Sequence, residues 1–316
     1  MLTTVYENIK WWHIIAILSL YHFFKSIIER SRWITTKSPV IPIGKKRLIK
    51  FGKPKPVIID LADYYEIHYT FMSIILVPYE KSVIFIDNFM KDNNNKDKTQ
   101  DSDGYVLSYQ EKMHSYVQNK LNLSIFANNG LIFVSLGKAF QKISEVLVDI
   151  FRRIPPVIAG MVANFELVFY YQHGVEQLFK VFPKKTTFNK VFLWHYYEEI
   201  EHNQESSYLF VTYYGFMRVF FIPISLISVI GLMLMVQFFV VLTIVFCSPV
   251  LHKIPLLIKT VNHSCLWIGS LTMTAFLLIF NLNSEGEAIK NDLKLYKSMY
   301  MERFGENLDN TNVEFE

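Results

Sequence analysis

Long apolar segments alternate with short polar or proline-rich ones along this chain. The first apolar segment covers residues 11–28, and a second, residues 70–90, is interrupted at Pro78, which should begin or kink a helix. Residues 186–214 contain neither proline nor glycine and predict one long helix. Apolar residues in 130–153 have the spacing of an amphipathic helix. We therefore predict an all-α protein.

Polar or proline-rich stretches separate the predicted helices. Residues 38–58 contain four prolines and predict extended, irregular chain. Residues 91–104 are rich in Asn, Asp and Lys and predict a disordered loop. The remaining helices are expected at residues 105–123, 157–180 and 288–303.

The C-terminal third contains the most apolar chain. Residues 219–247 have no charged side chain and are long enough to cross about 30 Å of hydrocarbon. Residues 265–280 form a second, slightly short apolar run, and a buried helical hairpin is the alternative for both. Residues 11–28 predict an interfacial helix, a membrane anchor or a buried helix, and the basic chain that follows should stay cytosolic.

Composition strengthens the membrane interpretation. Hydrophobic residues make up 51% of the chain, which is high for a soluble protein, and the net charge of +4 is too small to indicate nucleic-acid binding. Cys247 and Cys265 both lie in apolar runs and form neither a disulfide framework nor a zinc-finger spacing. We therefore expect membrane lipid as a partner and no nucleic acid, and the sequence leaves the oligomeric state open.

The candidate chemistry is densest in residues 194–202, where acidic and imidazole side chains interrupt an apolar helix. Residues three or four apart share a helix face, so one stripe should carry four of them. These are His195, Glu198, Glu199 and His202. Glu199 and His202 form a Glu-x-x-His pair, which carboxylate-bridged di-metal sites in helical bundles use.

Three other predicted helices supply matching residues. Glu111 and His114 form a second Glu-x-x-His pair, and Glu80 follows Pro78 closely. Glu166 is the single acidic residue in the apolar run 157–171, where a buried carboxylate needs a proton or a nearby cation. One Glu from each of two helices and Glu-x-x-His from each of two others is the ligand rule of ferritin-like di-metal proteins.

This inventory predicts two divalent metal ions in a ferritin-like four-helix bundle. Four carboxylates balance the four positive charges, and each imidazole occupies one position on one ion. Iron is expected first, with manganese or zinc as alternatives. The predicted metal ligands are Glu80, Glu111, His114, Glu166, Glu199 and His202.

The same motifs resemble a known family. The segments 78–81, 110–114, 165–166 and 194–202 are similar to those of the predicted metal-dependent hydrolases, which have a ferritin-like helical core, and the resemblance covers roughly residues 38–225. It implies the same six metal ligands, with His195 and Glu198 as extra or supporting groups. Members of this family usually have a second His four residues after the position that matches His114, and this chain has Gln118 there.

These observations divide the chain into four parts. They are an N-terminal hydrophobic and basic segment (1–37), a metal-binding helical domain (38–215), a hydrophobic membrane region (216–283) and a polar tail (284–316). The leading hypothesis is a membrane-associated di-metal enzyme with a cytosolic core that oxidises or hydrolyses an apolar small molecule. His195, Glu198 and Tyr197 are its candidate catalytic residues. The alternative is a non-catalytic membrane protein that only binds metal or has lost it.

Overall fold

The computed structural model describes residues 11–31, 34–35, 64–93 and 103–308, without the side chains of 87–93, 103–109, 128, 202 and 203. These residues form ten α-helices, a single-turn 3-10 helix at Gly215–Met217 and two short strands. The elements are α1 (Trp11–Arg30), β1 (Ile34–Thr35), α2 (Tyr64–Asn93), α3 (Asp103–Asn128), α4 (Leu131–Arg152), α5 (Pro155–Gln172), α6 (Val175–Val181), α7 (Thr187–Tyr214), α8 (Arg218–Cys247), α9 (Val250–Phe280), β2 (Asn283–Ser284) and α10 (Gly286–Phe304). The all-α prediction is confirmed for these residues.

Helix α7 begins and ends at residues with a clear local cause. The Thr186 hydroxyl accepts a hydrogen bond from the Asn189 backbone N–H at 3.1 Å, which caps the first turn. Gly215 follows the last turn with φ +49°, a backbone conformation that residues with a Cβ rarely adopt. The predicted helix 186–214 therefore differs from α7 by one residue.

Pro78 neither begins α2 nor ends it, because it lies inside the helix. Neighbouring helices supply hydrogen bonds to the backbone around it. The Pro78 carbonyl accepts from the Arg152 guanidinium at 3.0 Å, and the Val77 carbonyl accepts from the Ser115 hydroxyl at 3.2 Å. Of the two predicted effects of Pro78, the start of a helix is therefore wrong, since α2 continues through this residue with α3 and α4 bonded to the backbone beside it.

Several other boundaries differ from prediction. The expected helix 157–180 is divided at His173 and Gly174 into α5 and α6. Residues 250–264, between the two predicted apolar runs, form the first half of α9, so that α8 and α9 are joined only at Ser248 and Pro249. Helices α2 and α3 extend into the expected loop 91–104, whose residues 94–102, like the basic segment 36–63, lie outside the described residues.

Four helices surround the centre of the protein. Helix α2 packs on α3, α5 packs on α7, and both α3 and α5 contact the opposite pair. Helix α5 is buried from Val157 to Gln172, since α8 and α9 cover the face that α7 leaves open. A Cβ at Gly160 would overlap the Ser225 side chain, so glycine permits this close approach of α5 and α8.

Helices α1, α8 and α9 form a layer beside this bundle. Helix α1 runs in the same direction as α9, because Gly269 packs on His22, Phe23 packs on Phe276, and β1 pairs with β2 beyond their ends. At the C-terminal end of α1, Arg30 donates to the Asp292 carboxylate at 2.9 Å and to the Tyr170 backbone carbonyl at 3.3 Å. Helix α1 is thereby fastened to α5 and α10.

Apolar side chains are exposed along this layer. Four stretches among the described residues are long and apolar enough to cross a membrane: Trp11–Arg30, Tyr64–Ile86, Thr187–Cys247 and Val250–Phe280. The stretch Tyr64–Ile86 is 83% buried inside the protein, whereas α1 is only 11% buried. The exposed apolar surface of α8 and α9 includes Ile227, Phe246 and Leu251. Membrane association is consistent with this surface.

Candidate metal centre

Helix α5 carries Glu166 into the middle of the bundle. Every residue from Val157 to Gln172 is buried, so the carboxylate has no route to solvent along its own helix. Burial, the neighbouring Glu199 carboxylate and the Glu80 carboxylate raise the pKa of Glu166 well above the usual range, and only the Tyr79 hydroxyl acts in the opposite direction. Carboxylates brought this close to one another are stabilised by a proton or by a cation.

Helix α3 has an unusual inward face, because it is polar along four turns. Most soluble helices bury an apolar stripe there. The buried polar residues of this face are Gln110, Glu111, His114, Gln118 and Asn122. Glu111 and His114 face the carboxylates of the other helices, and Asn122 bonds to Ser73 of α2. Buried polar residues therefore recur along the inward face of α3, between the buried apolar residues Val117, Leu121 and Ile125.

Helix α7 contributes three adjacent polar side chains. His195, Glu198 and Glu199 are all buried, and they lie within two turns of helix. His195 Nε2 lies 2.6 Å from Glu199 Oε1, the ordinary i,i+4 relation on a helix face. Glu198 Oε2 accepts a hydrogen bond from His114 Nε2 at 2.8 Å. One helix therefore contacts α3 through Glu198 and presents Glu199 to the centre.

Two overlapping groups of side chains have the spacing of metal ligands. The first contains Glu111, His114 and Glu199, and the second contains Glu80, His114 and His195, with the ligand atoms of each group within 4.8 Å of one another. Each of these residues is at most 2% exposed. The buried His and Glu side chains could hold a metal ion.

Glu199 belongs to the first group and also contacts His195 of the second. Its Oε1 lies 2.6 Å from His195 Nε2 and 3.6 Å from His114 Nδ1. Glu111 Oε1 lies 3.7 Å from the same His114 nitrogen, and Glu80 Oε1 lies 3.7 Å from His195 Nε2. One carboxylate therefore reaches both imidazoles, each of which has a second carboxylate of its own.

The structure brings most of the predicted site residues together. Five of the six predicted ligands converge: Glu80, Glu111, His114, Glu166 and Glu199. The His202 side chain lies outside the described residues, and the imidazole that meets Glu80 and Glu199 is that of His195. His195, expected as a catalytic residue, thus lies where a metal ligand would. Glu198 lies on the far side of His114.

Tyr197, the third candidate catalytic residue, faces another part of the protein. Its hydroxyl donates to Glu201 Oε1 at 2.7 Å, and its ring centroid lies 5.5 Å from that of Tyr296 on α10. Glu201 is buried in this contact. The catalytic role of Tyr197 stays a prediction.

Two further side chains of the centre were not expected as site residues. Tyr79 precedes Glu80 in α2 and lies beside Glu166. Gln118 Nε2 lies 2.7 Å from His195 Nδ1. For Gln118 the signal was its position one turn after His114 on a polar helix face, and for Tyr79 it was the segment 78–81 of the family resemblance, where only Glu80 was assigned a role.

Comparisons of the chain with models of protein families, with characterised proteins and with solved structures found no match. The resemblance to the predicted metal-dependent hydrolases therefore stays a prediction. The function of the centre is argued below from its geometry.

Proposed function

We propose that this protein is a membrane-associated di-metal carboxylate enzyme, most simply a di-iron one, with an apolar substrate. The observation that carries the proposal is the pair of overlapping ligand groups that meet at His114. Helices α2, α3 and α7 supply them, and α5 adds Glu166. Four helices arranged around one set of carboxylates and imidazoles also agree with the ferritin-like bundle expected from the sequence.

The contacts suggest how two ions would be divided among the ligands. Glu111 and His114 would hold one ion, and Glu80 and His195 would hold the other. Glu199 would be shared, because it already reaches both imidazoles. Glu166 would join it, since it lies against both Glu199 and Glu80. His195 therefore replaces His202 in the ligand set that we propose.

The ligand chemistry favours iron or manganese over zinc. Carboxylate oxygens and imidazole nitrogens suit these ions, and the set contains no thiolate. Four carboxylates balance two divalent cations, which explains how so many acidic groups are accommodated in a buried centre. A purely structural zinc site would have four ligands in closed tetrahedral geometry.

Bound ions would supply Lewis acidity and, for iron, the one-electron chemistry that dioxygen requires. The chain's own residues would orient the ligands and keep bulk water out. Glu198 holds the far nitrogen of His114, and the Tyr79 hydroxyl beside Glu166 is a group that can hold a proton near the site. Buried aromatic rings of Phe165 and Phe169 form an apolar wall next to the centre, which suits an apolar substrate such as a lipid chain.

Complete burial of the ligands favours one alternative, a metal site without turnover. All the ligands are at most 2% exposed, so a large substrate would need a conformational opening. Dioxygen and water are small enough to enter by minor fluctuations. Consumption of dioxygen by the iron-loaded protein in lipid would therefore favour an oxidase, and release of product without dioxygen would favour a hydrolase.

Metal binding at equilibrium tests the proposal. The purified protein in detergent should bind about two Fe(II) or Mn(II) ions per chain after dialysis. Glu145→Gln is a suitable control, because Glu145 is exposed on α4 and accepts a hydrogen bond from Gln141 of the same helix. Wild-type protein that binds no metal under anaerobic conditions would contradict the di-metal proposal.

We further propose that α1, α8 and α9 span the membrane with the metal centre on the cytosolic side. Arg30, Arg218 and the paired strands β1 and β2 lie at one end of this layer. The long basic segment follows β1, and basic residues stay cytosolic. The turn at Ser248 and Pro249 would then lie on the opposite side.

Thiol labelling tests this topology, because Cys247 is exposed at the turn and Cys265 is buried. In sealed vesicles with the cytosolic face outward, a membrane-impermeant maleimide should label Cys247 only after detergent is added. Glu287→Cys in a Cys247→Ser background is the matched control, because Glu287 is exposed at the start of α10 and should be labelled at once. Labelling of Cys247 before detergent would contradict the topology.

A further inference from the structure

The two imidazoles of the centre turn opposite nitrogens towards the carboxylates. His114 presents Nδ1 to Glu111 and Glu199, whereas His195 presents Nε2 to Glu80 and Glu199. The other nitrogen of each ring is held by a buried polar side chain. For His114 this is the Glu198 carboxylate, and for His195 it is the Gln118 carboxamide.

We propose that Glu198 and Gln118 are positioning residues that set the tautomers of His114 and His195, and that their different chemistry makes the two metal positions unequal in affinity. The position at His114 fills first and binds more tightly. This inference rests on the proposed di-metal function. It adds an order of binding and assigns a role to Gln118.

His114 is held in the tautomer that a metal ion needs. Carboxylate oxygens accept hydrogen bonds, and Glu198 Oε2 lies 2.8 Å from His114 Nε2, so this contact places the ring proton on Nε2. The lone pair is then on Nδ1, which faces Glu111 and Glu199. A carboxylate behind a metal-bound imidazole also makes the imidazole a better donor. Glu198 therefore both orients and strengthens this ligand.

His195 is held in the opposite state. Gln118 Nε2 is a donor and lies 2.7 Å from His195 Nδ1, so Nδ1 accepts and the ring proton is on Nε2. That proton is donated to Glu199 Oε1 at 2.6 Å. The nitrogen that faces the metal volume is thus protonated, and it has no lone pair for a cation.

A metal ion at His195 requires two coupled changes. The ring proton moves from Nε2 to Nδ1, which leaves the number of protons on the ring unchanged. The carboxamide of Gln118 turns by half a rotation, so that Oε1 accepts the Nδ1 proton. Gln118 Oε1 has no hydrogen-bond partner in the present arrangement, so the turn breaks no bond of that atom. A neutral amide also supports the imidazole less strongly than a carboxylate does.

Stepwise metal titration of four variants tests the inference. In Mn(II) calorimetry the wild-type protein should show a tight step and a weaker one. Gln118→Leu should weaken the second step by about 10–100-fold and leave the first unchanged, as loss of a group behind a metal-bound histidine typically does. Gln118→Glu should bring the second step closer to the first. Glu198→Gln should weaken the first step.

Asn122→Ala is the matched control, because Asn122 lies one turn beyond Gln118 on the same buried face but bonds to Ser73. Both steps should be unchanged in this variant. A second readout is ¹⁵N NMR of histidine-labelled protein loaded with Zn(II). It should show His114 bound through Nδ1 and His195 bound through Nε2, and Gln118→Leu should lose the second pattern.

Equal steps in the wild type, or an unchanged second step in folded Gln118→Leu or Gln118→Glu, would overturn the inference while leaving the di-metal function intact. Wild-type protein that binds no Mn(II) would instead overturn the proposed function. The two failures are therefore distinct. Gln118→Glu preserves the size of the side chain, so it keeps the test decisive if Gln118→Leu does not fold.

Discussion

Glu199→Ala is expected to abolish binding of both metal ions. Glu199 Oε1 lies 2.6 Å from His195 Nε2 and 3.6 Å from His114 Nδ1, so its removal affects both positions at once. Loss of an outer hydrogen-bond partner costs roughly 10–100-fold in metal affinity, and loss of a shared direct ligand should cost more. Metal content after dialysis should fall from about two ions per chain to almost none.

Glu201→Gln is the control for this experiment. Glu201 is buried two residues further along α7, where it accepts a hydrogen bond from Tyr197. Glutamine can accept the same bond and should leave the metal content unchanged. If Glu199→Ala still bound two ions with wild-type affinity, the ligand set proposed for both positions would be wrong.

Glu166→Gln is expected to have opposite effects on the metal-free and metal-loaded protein. Without metal, the Glu166 carboxyl is buried against Glu199 and Glu80, so at neutral pH it must either take up a proton or carry an unfavourable charge. The neutral amide should stabilise the metal-free fold by about 1–3 kcal/mol, which corresponds to roughly 2–4 °C in Tm per kcal/mol. With metal, the variant loses a ligand. Saturating metal should stabilise the folded wild type by about 2.7 kcal/mol at a concentration 100 times Kd, and this stabilisation should be smaller in the variant.

The pH dependence follows from the same carboxyl group. Because the pKa of Glu166 is raised in the folded protein, the folded state binds a proton more readily than the unfolded state does. The metal-free wild type should therefore lose stability as the pH rises above the ordinary pKa of a glutamate. This loss should be smaller in Glu166→Gln.

Thermal unfolding in detergent, with and without Mn(II), measures both effects. Glu176→Gln is a fair control, because Glu176 is exposed on α6. It should change neither Tm nor the stabilisation by metal. A metal-free Glu166→Gln protein that is less stable than the wild type would show that Glu166 has a structural partner strong enough to offset its burial.

Much of the candidate metal centre could be predicted from the sequence. A single carboxylate in the apolar run around Glu166 implied a nearby proton or cation, and two Glu-x-x-His pairs indicated which helices would meet it. The structure brings Glu111, His114 and Glu199 of these pairs close to Glu166, while the His202 side chain lies outside the described residues. The predictive signal was chemical, since an unpaired buried charge is too costly to occur without a reason.

The choice between His195 and His202 was beyond a single-helix argument. One lies four residues before Glu199 and the other three residues after it, so both share its face. Helix α2 supports the proposed choice of His195, because Glu80 Oε1 lies 3.7 Å from its Nε2, and the His202 side chain lies outside the described residues. Likewise, only the approach of α3 and α7 shows that Glu198 bonds to His114 and Gln118 to His195.

Helix boundaries were predictable where local chemistry sets them and not where packing does. Thr186 and Gly215 bound α7 through a cap and a positive φ, and both are visible in the sequence. Pro78 lies inside α2, where Arg152 and Ser115 from other helices bond to the neighbouring backbone carbonyls. These partners are distant in sequence, and no local sequence pattern predicts them.

Metal-edge anomalous diffraction from crystals of the iron-loaded protein tests the di-metal centre most directly. The proposal predicts two peaks roughly 3.5–4 Å apart, as in other two-metal sites. They should lie between the side chains of Glu80, Glu111, His114, Glu166, His195 and Glu199. A single peak remote from Glu199, or iron bound only at the protein surface, would contradict the proposal.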